Sequence, residues 1–145
     1  EMAAACRNPA LLKTLATDSL SCSSPTKARW QGHGIEHCGY CLPCLIRRAA
    51  LAKGLRPASD PTTYTIADLT DRLLDTRRSE GIQIRSLQLA IARIGTRPDL
   101  ASILIHKPGP LFDESPLRQA GIAGVYRRGL AEMGEFLRGV RTAPS

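Results

Sequence analysis

Residues 38–50 read Cys-Gly-Tyr-Cys-Leu-Pro-Cys-Leu-Ile-Arg-Arg-Ala-Ala, and this stretch decides what the chain can build. Its two gaps of two residues bring three sulfurs within reach of one ion, two from a turn and one from the first turn of a helix. Gly39 permits the tight backbone of that turn, and the N-terminus of the helix stabilises a thiolate at Cys44. The spacing therefore predicts a metal site.

A fourth ligand is available upstream, because Cys22 precedes Cys38 with fifteen residues between them. Four thiolates complete the tetrahedral shell that structural Zn²⁺ prefers, with Zn–S distances of about 2.3 Å. His37 is an alternative fourth ligand, although its position directly before Cys38 makes chelation awkward. We expect one structural zinc ion, and its ligands are Cys22, Cys38, Cys41 and Cys44.

Three other interpretations of these cysteines stay open at this point. The Cys-x2-Cys-x2-Cys spacing also occurs in the ligation of iron–sulfur clusters. The cysteines can instead be small buried apolar residues, or one of them can be a nucleophile or redox thiol, although a closed shell of four leaves none free. Cys6 lies near the predicted opening helix, and we expect a core or interface cysteine there rather than a ligand.

The charge of the chain is concentrated around this predicted site. The 145 residues contain 20 Lys+Arg and 13 Asp+Glu, a formal net charge of +7. Residues 7–56 hold eight of the basic residues and only two acidic ones. We therefore expect an anion-binding role, towards a nucleotide phosphate, RNA or an acidic partner, for four basic residues: Lys27, Arg29, Arg47 and Arg48.

Several classes of protein are disfavoured by the composition. No apolar run approaches the roughly 20 residues that cross a bilayer, so we expect no membrane span. The start of the sequence lacks the pattern of a secretory signal, and the odd number of cysteines does not fit a disulfide framework. Together these features predict a cytoplasmic protein.

The apolar periodicity predicts a mainly α-helical fold. The cysteine spacing adds a zinc-binding loop of four cysteines to it. Thr65 and Asp68 resemble a capping box that opens a helix presenting Ile66, Leu69, Leu73 and Leu74 to a core. The other predicted helices cover residues 9–16, 42–54, 82–94 and 98–105, and the longest one starts at Ser115-Pro116. Residues 17–40 are predicted to be a loop, and the chain divides into a zinc-binding part, 1–56, and a helical extension, 57–145.

The cysteine motif resembles the C-terminal part of 7-cyano-7-deazaguanine synthases, the QueC-like enzymes of queuosine biosynthesis. The residues that carry the likeness are Ser21-Cys22, His37-Cys38-Gly39-Tyr40-Cys41-Leu42-Pro43-Cys44 and Arg47-Arg48. A closer likeness is to the QueC-like component of the Qat anti-phage defence system. It rests on Asn8-Pro9, Leu11-Leu12, Ser21-Cys22-Ser23, Pro25-Thr26 and Tyr126-Arg127-Arg128-Gly129. The long Cys22–Cys38 gap and the helical extension favour that defence branch.

This resemblance implies that the chain is the end of an α/β ATP-pyrophosphatase-like ligase. The family uses ATP and Mg²⁺ to adenylate a 7-deazaguanine carboxylate, and then transfers it to a nitrogen nucleophile. The family's Ser-Gly-Gly-x-Asp-Ser nucleotide loop does not occur in these residues, so we expect a piece of a longer protein with no catalytic residue of its own. The implied partners are the N-terminal part of the same ligase and a protein of a defence complex. The alternative is a stand-alone zinc-ordered basic module that binds nucleic acid or a partner protein.

Overall fold

The computed structural model describes residues 2–32, 34–55 and 60–144, with the backbone alone at Lys27, Ala28 and Gln31. Within these residues the chain is mainly helical, as the sequence predicts. Its α-helices are α1 (Pro9–Asp18), α2 (Leu42–Gly54), α3 (Ser79–Thr96), α4 (Ala101–Leu104) and α5 (Pro116–Phe136). Short 3₁₀ helices cover Pro25–Gln31 and Pro98–Leu100, and two short strands are β1 (Leu74–Asp75) and β2 (Thr142–Ala143).

The starts of α1 and α5 follow from local capping chemistry. The side chain of Asn8 accepts a hydrogen bond from the backbone N–H of Leu11 at 3.0 Å, and Pro9 occupies the first turn of α1. The hydroxyl of Ser115 accepts in the same way from Arg118 at 3.3 Å, again directly before a proline. A cap side chain followed by proline satisfies free helix N–H groups and presets φ, so both predicted starts are confirmed.

One hydrophobic core joins α2, α3, α4 and α5. Leu45 and Ala49 of α2 lie in this core with Ile84 of α3 and with Leu130 and Met133 of α5. The apolar spacing of the sequence predicts one stripe along α5 and the residues after it, made of Leu117, Val125, Tyr126, Leu130, Met133, Leu137 and Val140. The stripe is confirmed at its C-terminal half, from Leu130 to Val140, where these residues are buried. It is wrong at its start, since Leu117 and Val125 are exposed there.

The helix predicted to begin at Thr65 does not form. The carboxylate of Asp68 accepts hydrogen bonds from the N–H and the hydroxyl of Thr70, each at 2.7 Å, instead of completing a capping box with Thr65. Asp side chains that bind their own backbone two residues on favour a turn over a helix. The segment is therefore irregular until β1, although it still buries Leu69 and Leu74 as the sequence predicts.

Two short parallel strands close the fold, and the sequence gives no sign of them. Leu74 of β1 pairs with Thr142 of β2. Gln88 of α3 holds this pair, because its amide donates to the carbonyl of Val140 at 2.9 Å and accepts from the hydroxyl of Thr142 at 2.8 Å. The end of the chain is thereby fixed against α3.

The predicted division of the chain at 56/57 lies outside the described residues. On either side of it, α2 and the later helices contribute to the same core. A smaller apolar cluster joins α1 to the other side of α2, through Leu12, Ala16, Leu51 and Leu55. None of the helices in the described ranges has the length and apolar character that crossing a membrane requires.

Gly81 provides a test of how closely α3 packs on β1. A Cβ at this position would overlap the backbone carbonyl of Asp75, which cannot move without disturbing the strand pair. We expect Gly81→Ala to lower the free energy of unfolding by about 1–3 kcal/mol through overpacking. Urea unfolding followed by circular dichroism measures the change. Gly95→Ala is the matched control, because Gly95 lies in the same helix with open space around it, and it should be neutral or stabilising.

Candidate metal centre

The cysteine turn is built on a glycine that no other residue can replace without strain. Gly39 has a φ of +84°, and a Cβ there would lie 2.7 Å from the carbonyl oxygen of Ile66. The turn leads directly into α2, for which Cys41 is the N-cap residue, and Cys44 lies in the first helical turn. The sequence-based placement of two thiols on a turn and one on the helix is therefore confirmed.

The segment 64–66 supports the turn through backbone hydrogen bonds. His37 and Tyr64 form a parallel bridge, in which the N–H of Thr65 donates to the carbonyl of His37 at 2.9 Å. The N–H of Ile66 donates to the carbonyl of Cys38 at 3.3 Å. These bonds fix the backbone at the first ligand of the turn.

The four predicted ligands come together in the structure. The sulfurs of Cys22, Cys38, Cys41 and Cys44 all lie within 4.8 Å of one another. The Sγ atoms of Cys22 and Cys41 are 3.9 Å apart, and those of Cys38 and Cys44 are 4.0 Å apart. A regular tetrahedron with Zn–S bonds of about 2.3 Å has S···S edges of about 3.8 Å. The cluster can therefore hold a metal ion, and zinc fits both its donor set and its size.

The sulfur spacing also bears on the alternatives. A disulfide would need an S–S distance near ~2.05 Å, and all of these cysteines are free. In a four-iron cluster each cysteine binds a different iron, so the sulfurs surround a larger object than a single ion. The observed spacing favours a site for one ion.

Contacts within the cluster shift the pKa values of its thiols in different directions. The N–H of Cys38 donates to the sulfur of Cys22 at 3.5 Å, and the N–H of Cys41 donates to the sulfur of Cys38 at 3.3 Å. The hydrogen bond with Cys44 lowers the pKa of Cys38 to about 4. That same hydrogen bond, together with burial, raises the pKa of Cys44. Burial raises the pKa of Cys22.

His37 lies beside the cluster rather than in it. Its ring is buried, with Nε2 placed 3.1 Å from the carbonyl of Ser19 and Nδ1 placed 3.7 Å from the sulfur of Cys44. Because a carbonyl only accepts, Nε2 of His37 is assigned as the donor to Ser19. His37 thus links the end of α1 to the cluster. The fourth position of the cluster is occupied by the sulfur of Cys22, together with those of the other three cysteines.

Arg48 performs a structural task that sequence reasoning did not foresee. Its guanidinium donates to the carbonyls of Gly39 at 3.1 Å and Ile66 at 2.9 Å, and also to the carbonyl of Ala67. It lies 4.5 Å from the ring centroid of Tyr64, within cation–π range. Burial lowers the pKa of Arg48. The side chain therefore joins the cysteine turn to the segment that supports it.

Arg47 joins α2 to α1 in a similar way. It donates to the hydroxyl of Ser19 at 2.8 Å, to the hydroxyl of Thr62 at 3.0 Å, and to the carbonyl of Ala16. Both arginines thus contact groups of the chain itself, and a nucleotide contact by either one stays a prediction. The sequence places both arginines next to the cysteine motif, which was the one available sign of their structural role. It does not show which carbonyl groups accept their hydrogen bonds.

The remaining predicted residues lie apart from the cluster. Arg29 is exposed on the 3₁₀ helix Pro25–Gln31, and the side chain of Lys27 lies outside the described part of the structure. Cys6 is half-buried, and its thiol donates to the carbonyl of Asn8 at 3.5 Å. Cys6 is not among the four sulfurs of the cluster, as the sequence predicts.

Comparison with known proteins adds no relative: no family model, curated protein or solved structure matches this chain. The structure itself defines a mainly helical chain with a four-cysteine site that can hold a metal ion.

Replacement of one ligand provides a direct test of the site. We expect Cys22→Ser to lower the retention of zinc, because a hydroxyl stays protonated and is a poor ligand for this ion at neutral pH. The measurement is zinc per chain by mass spectrometry of metals after dialysis against a weak chelator. Cys6→Ser, which removes a cysteine outside the cluster, should retain one zinc ion per chain, the content that we expect for the unaltered protein. Equal zinc in both variants would contradict the assignment of four cysteine ligands.

A second test concerns the support that Arg48 gives to the turn. In Arg48→Lys the charge remains, but one ammonium cannot span the three carbonyls that the planar guanidinium reaches. We expect the free energy of unfolding of the zinc-loaded protein to fall by about 1.5–3 kcal/mol, the usual range for hydrogen bonds of a charged group. Arg127→Lys, at an exposed position of α5, is the control and should change it by less than about 0.5 kcal/mol. Equal stability of the two variants in urea unfolding would show that Arg48 does not support the turn.

Proposed function

We propose that this chain is the C-terminal zinc-binding part of a QueC-like ligase that acts in anti-phage defence. The observation that carries the proposal is the convergence of the four cysteine sulfurs within 4.8 Å. They belong to the same motif that resembles this family, Cys38-Gly39-Tyr40-Cys41 with Cys44 and the following arginines. The residues that would bind the family's structural zinc therefore lie close enough together to share one ion.

Zinc in this site has a structural task. Besides the cysteines themselves, the partly buried apolar residue packed against the cluster is Tyr40. Among the described residues between the end of α1 and Cys38, none contributes a side chain to the main hydrophobic core. Metal coordination therefore supplies the folding free energy that a segment with so little buried apolar surface lacks. When bound, the ion cross-links the segment to α2 and performs no chemistry.

Exposed apolar side chains support the view that further protein covers this part of the chain. Leu11 and Leu15 of α1 and Leu42 and Ile46 of α2 are each about half exposed. Leu42 and Ile46 also line an apolar groove of about 490 Å³ between α2, α3 and α5. Exposed apolar patches on a protein surface mark sites of protein contact. In the proposed ligase the ATP-pyrophosphatase part and a protein of the defence complex are the partners that cover it.

The proposed division of labour places the chemistry outside this chain. Activation of a 7-deazaguanine carboxylate requires a site for ATP and Mg²⁺, which the family builds on its Ser-Gly-Gly-x-Asp-Ser loop, and this sequence contains no such loop. The part present here orders the zinc segment and offers the surface on which the catalytic part rests. Lys27 and Arg29 are the remaining basic residues proposed to face the nucleotide or substrate.

The proposal is tested by activity and by the gene. The isolated chain, loaded with zinc, is expected to release no pyrophosphate from ATP in the presence of a 7-deazaguanine carboxylate. The codons upstream of residue 1 are expected to encode a Ser-Gly-Gly-x-Asp-Ser loop. Turnover by these 145 residues, or an upstream sequence without the loop, would overturn the assignment to this family while leaving the zinc site intact.

A further inference from the structure

The segment between Cys22 and Cys38 forms a loop whose two ends meet at the cysteine cluster. The sulfurs of both residues belong to the set within 4.8 Å of one another, so a bound ion closes the loop. A loop with both ends fixed loses less conformational entropy on binding a ligand than a loop with free ends. The closed loop is therefore partly pre-organised for binding.

The loop presents a tryptophan to solvent. Trp30 lies in the 3₁₀ helix Pro25–Gln31 and is 91% exposed, the highest exposure among the large apolar side chains of the described residues. The N–H of Gly32 donates to the carbonyl of Arg29 at 3.2 Å, and Gly32 has a φ of +81°. This turn ends the 3₁₀ helix at Gln31, one residue after Trp30. At 91% exposure, the indole is accessible to a planar ligand.

The charge around Trp30 is mainly positive. The loop between Cys22 and Cys38 contains Lys27 and Arg29 and one acidic residue, Glu36. Arg29 is exposed, and the wider stretch 7–56 carries eight basic residues against two acidic ones. An exposed aromatic side chain beside an exposed arginine is complementary to a ligand that combines planar rings with negative charge.

We propose that this loop binds single-stranded nucleic acid, with one base stacked on Trp30 and a neighbouring phosphate beside Arg29. Stacking of a base on an aromatic side chain contributes about 1–3 kcal/mol and tolerates any base, while the basic residues contribute a salt-dependent attraction to the phosphates. Unpaired bases are required because a duplex buries the ring faces that Trp30 would contact. This inference goes beyond the proposed ligase role and depends only on the order of the loop.

The chain contains a single tryptophan, which makes the test direct. A ten-nucleotide oligo-dT with a fluorescent label is titrated with the zinc-loaded protein at ~50 mM salt, and both anisotropy and quenching of Trp30 are recorded. We expect Trp30→Ala to weaken binding roughly 5-fold or more, which is the loss of one stacked base. Phe112→Ala is the matched control, because Phe112 is another exposed aromatic residue, outside the loop, and its removal should leave the affinity unchanged.

Charge and metal content give two further readouts. Arg29→Gln should weaken binding and reduce the salt dependence of the affinity, whereas Arg127→Gln should do neither. Removal of zinc should weaken binding, because the loop is then no longer closed. Equal quenching by polyglutamate or by duplex DNA, equal affinity of Trp30→Ala, or no binding at all would overturn the proposal. Zinc content is measured separately, so a failure of nucleic-acid binding with one zinc ion per chain would leave the proposed zinc role standing.

Discussion

The structure around the cysteines depends on the position of four sulfurs within 4.8 Å of one another. Four thiolates at that distance cannot coexist without compensation, since like charges at such spacing raise one another's pKa strongly. Without a cation, some of these thiols would keep their protons. A divalent ion would replace those protons and leave a net charge of −2, beside which Arg48 lies as a cation. A bound metal ion therefore balances the charge of this cluster better than protons on the thiols do.

Helix α2 connects the cysteine cluster to both apolar clusters of the fold. Its first turn carries Cys44, its inner face supplies Leu45 and Ala49 to the main core, and Leu51 packs towards α1. Arg47 and Arg48 leave the same helix in different directions and bind carbonyls on both sides of it. A change at the cluster thus alters the position of a helix on which the two apolar clusters and the loop all rest.

The cysteine site was predictable from the sequence because ligand spacing is a local property, and the helices with strong caps were predictable for the same reason. The predicted helix at Thr65 failed because the side chain of Asp68 had a competing partner two residues away, and a capping pattern does not reveal that competition. Strands of two residues have no periodicity to detect. The structural task of Arg48 was not visible, since the carbonyls it meets come partly from residues 66 and 67. The resemblance to QueC-like enzymes rests on sequence motifs alone and stays a prediction.

The bridge between His37 and Tyr64 has a consequence for synthesis on the ribosome. All four cysteines are made before Tyr64, Thr65 and Ile66, because the chain grows from its N-terminus. The emerging chain therefore offers a complete set of sulfurs while the backbone that will support the turn does not yet exist. A metal ion captured at that stage holds Gly39 and its neighbours in place, and the later segment adds its hydrogen bonds to a turn that is already shaped.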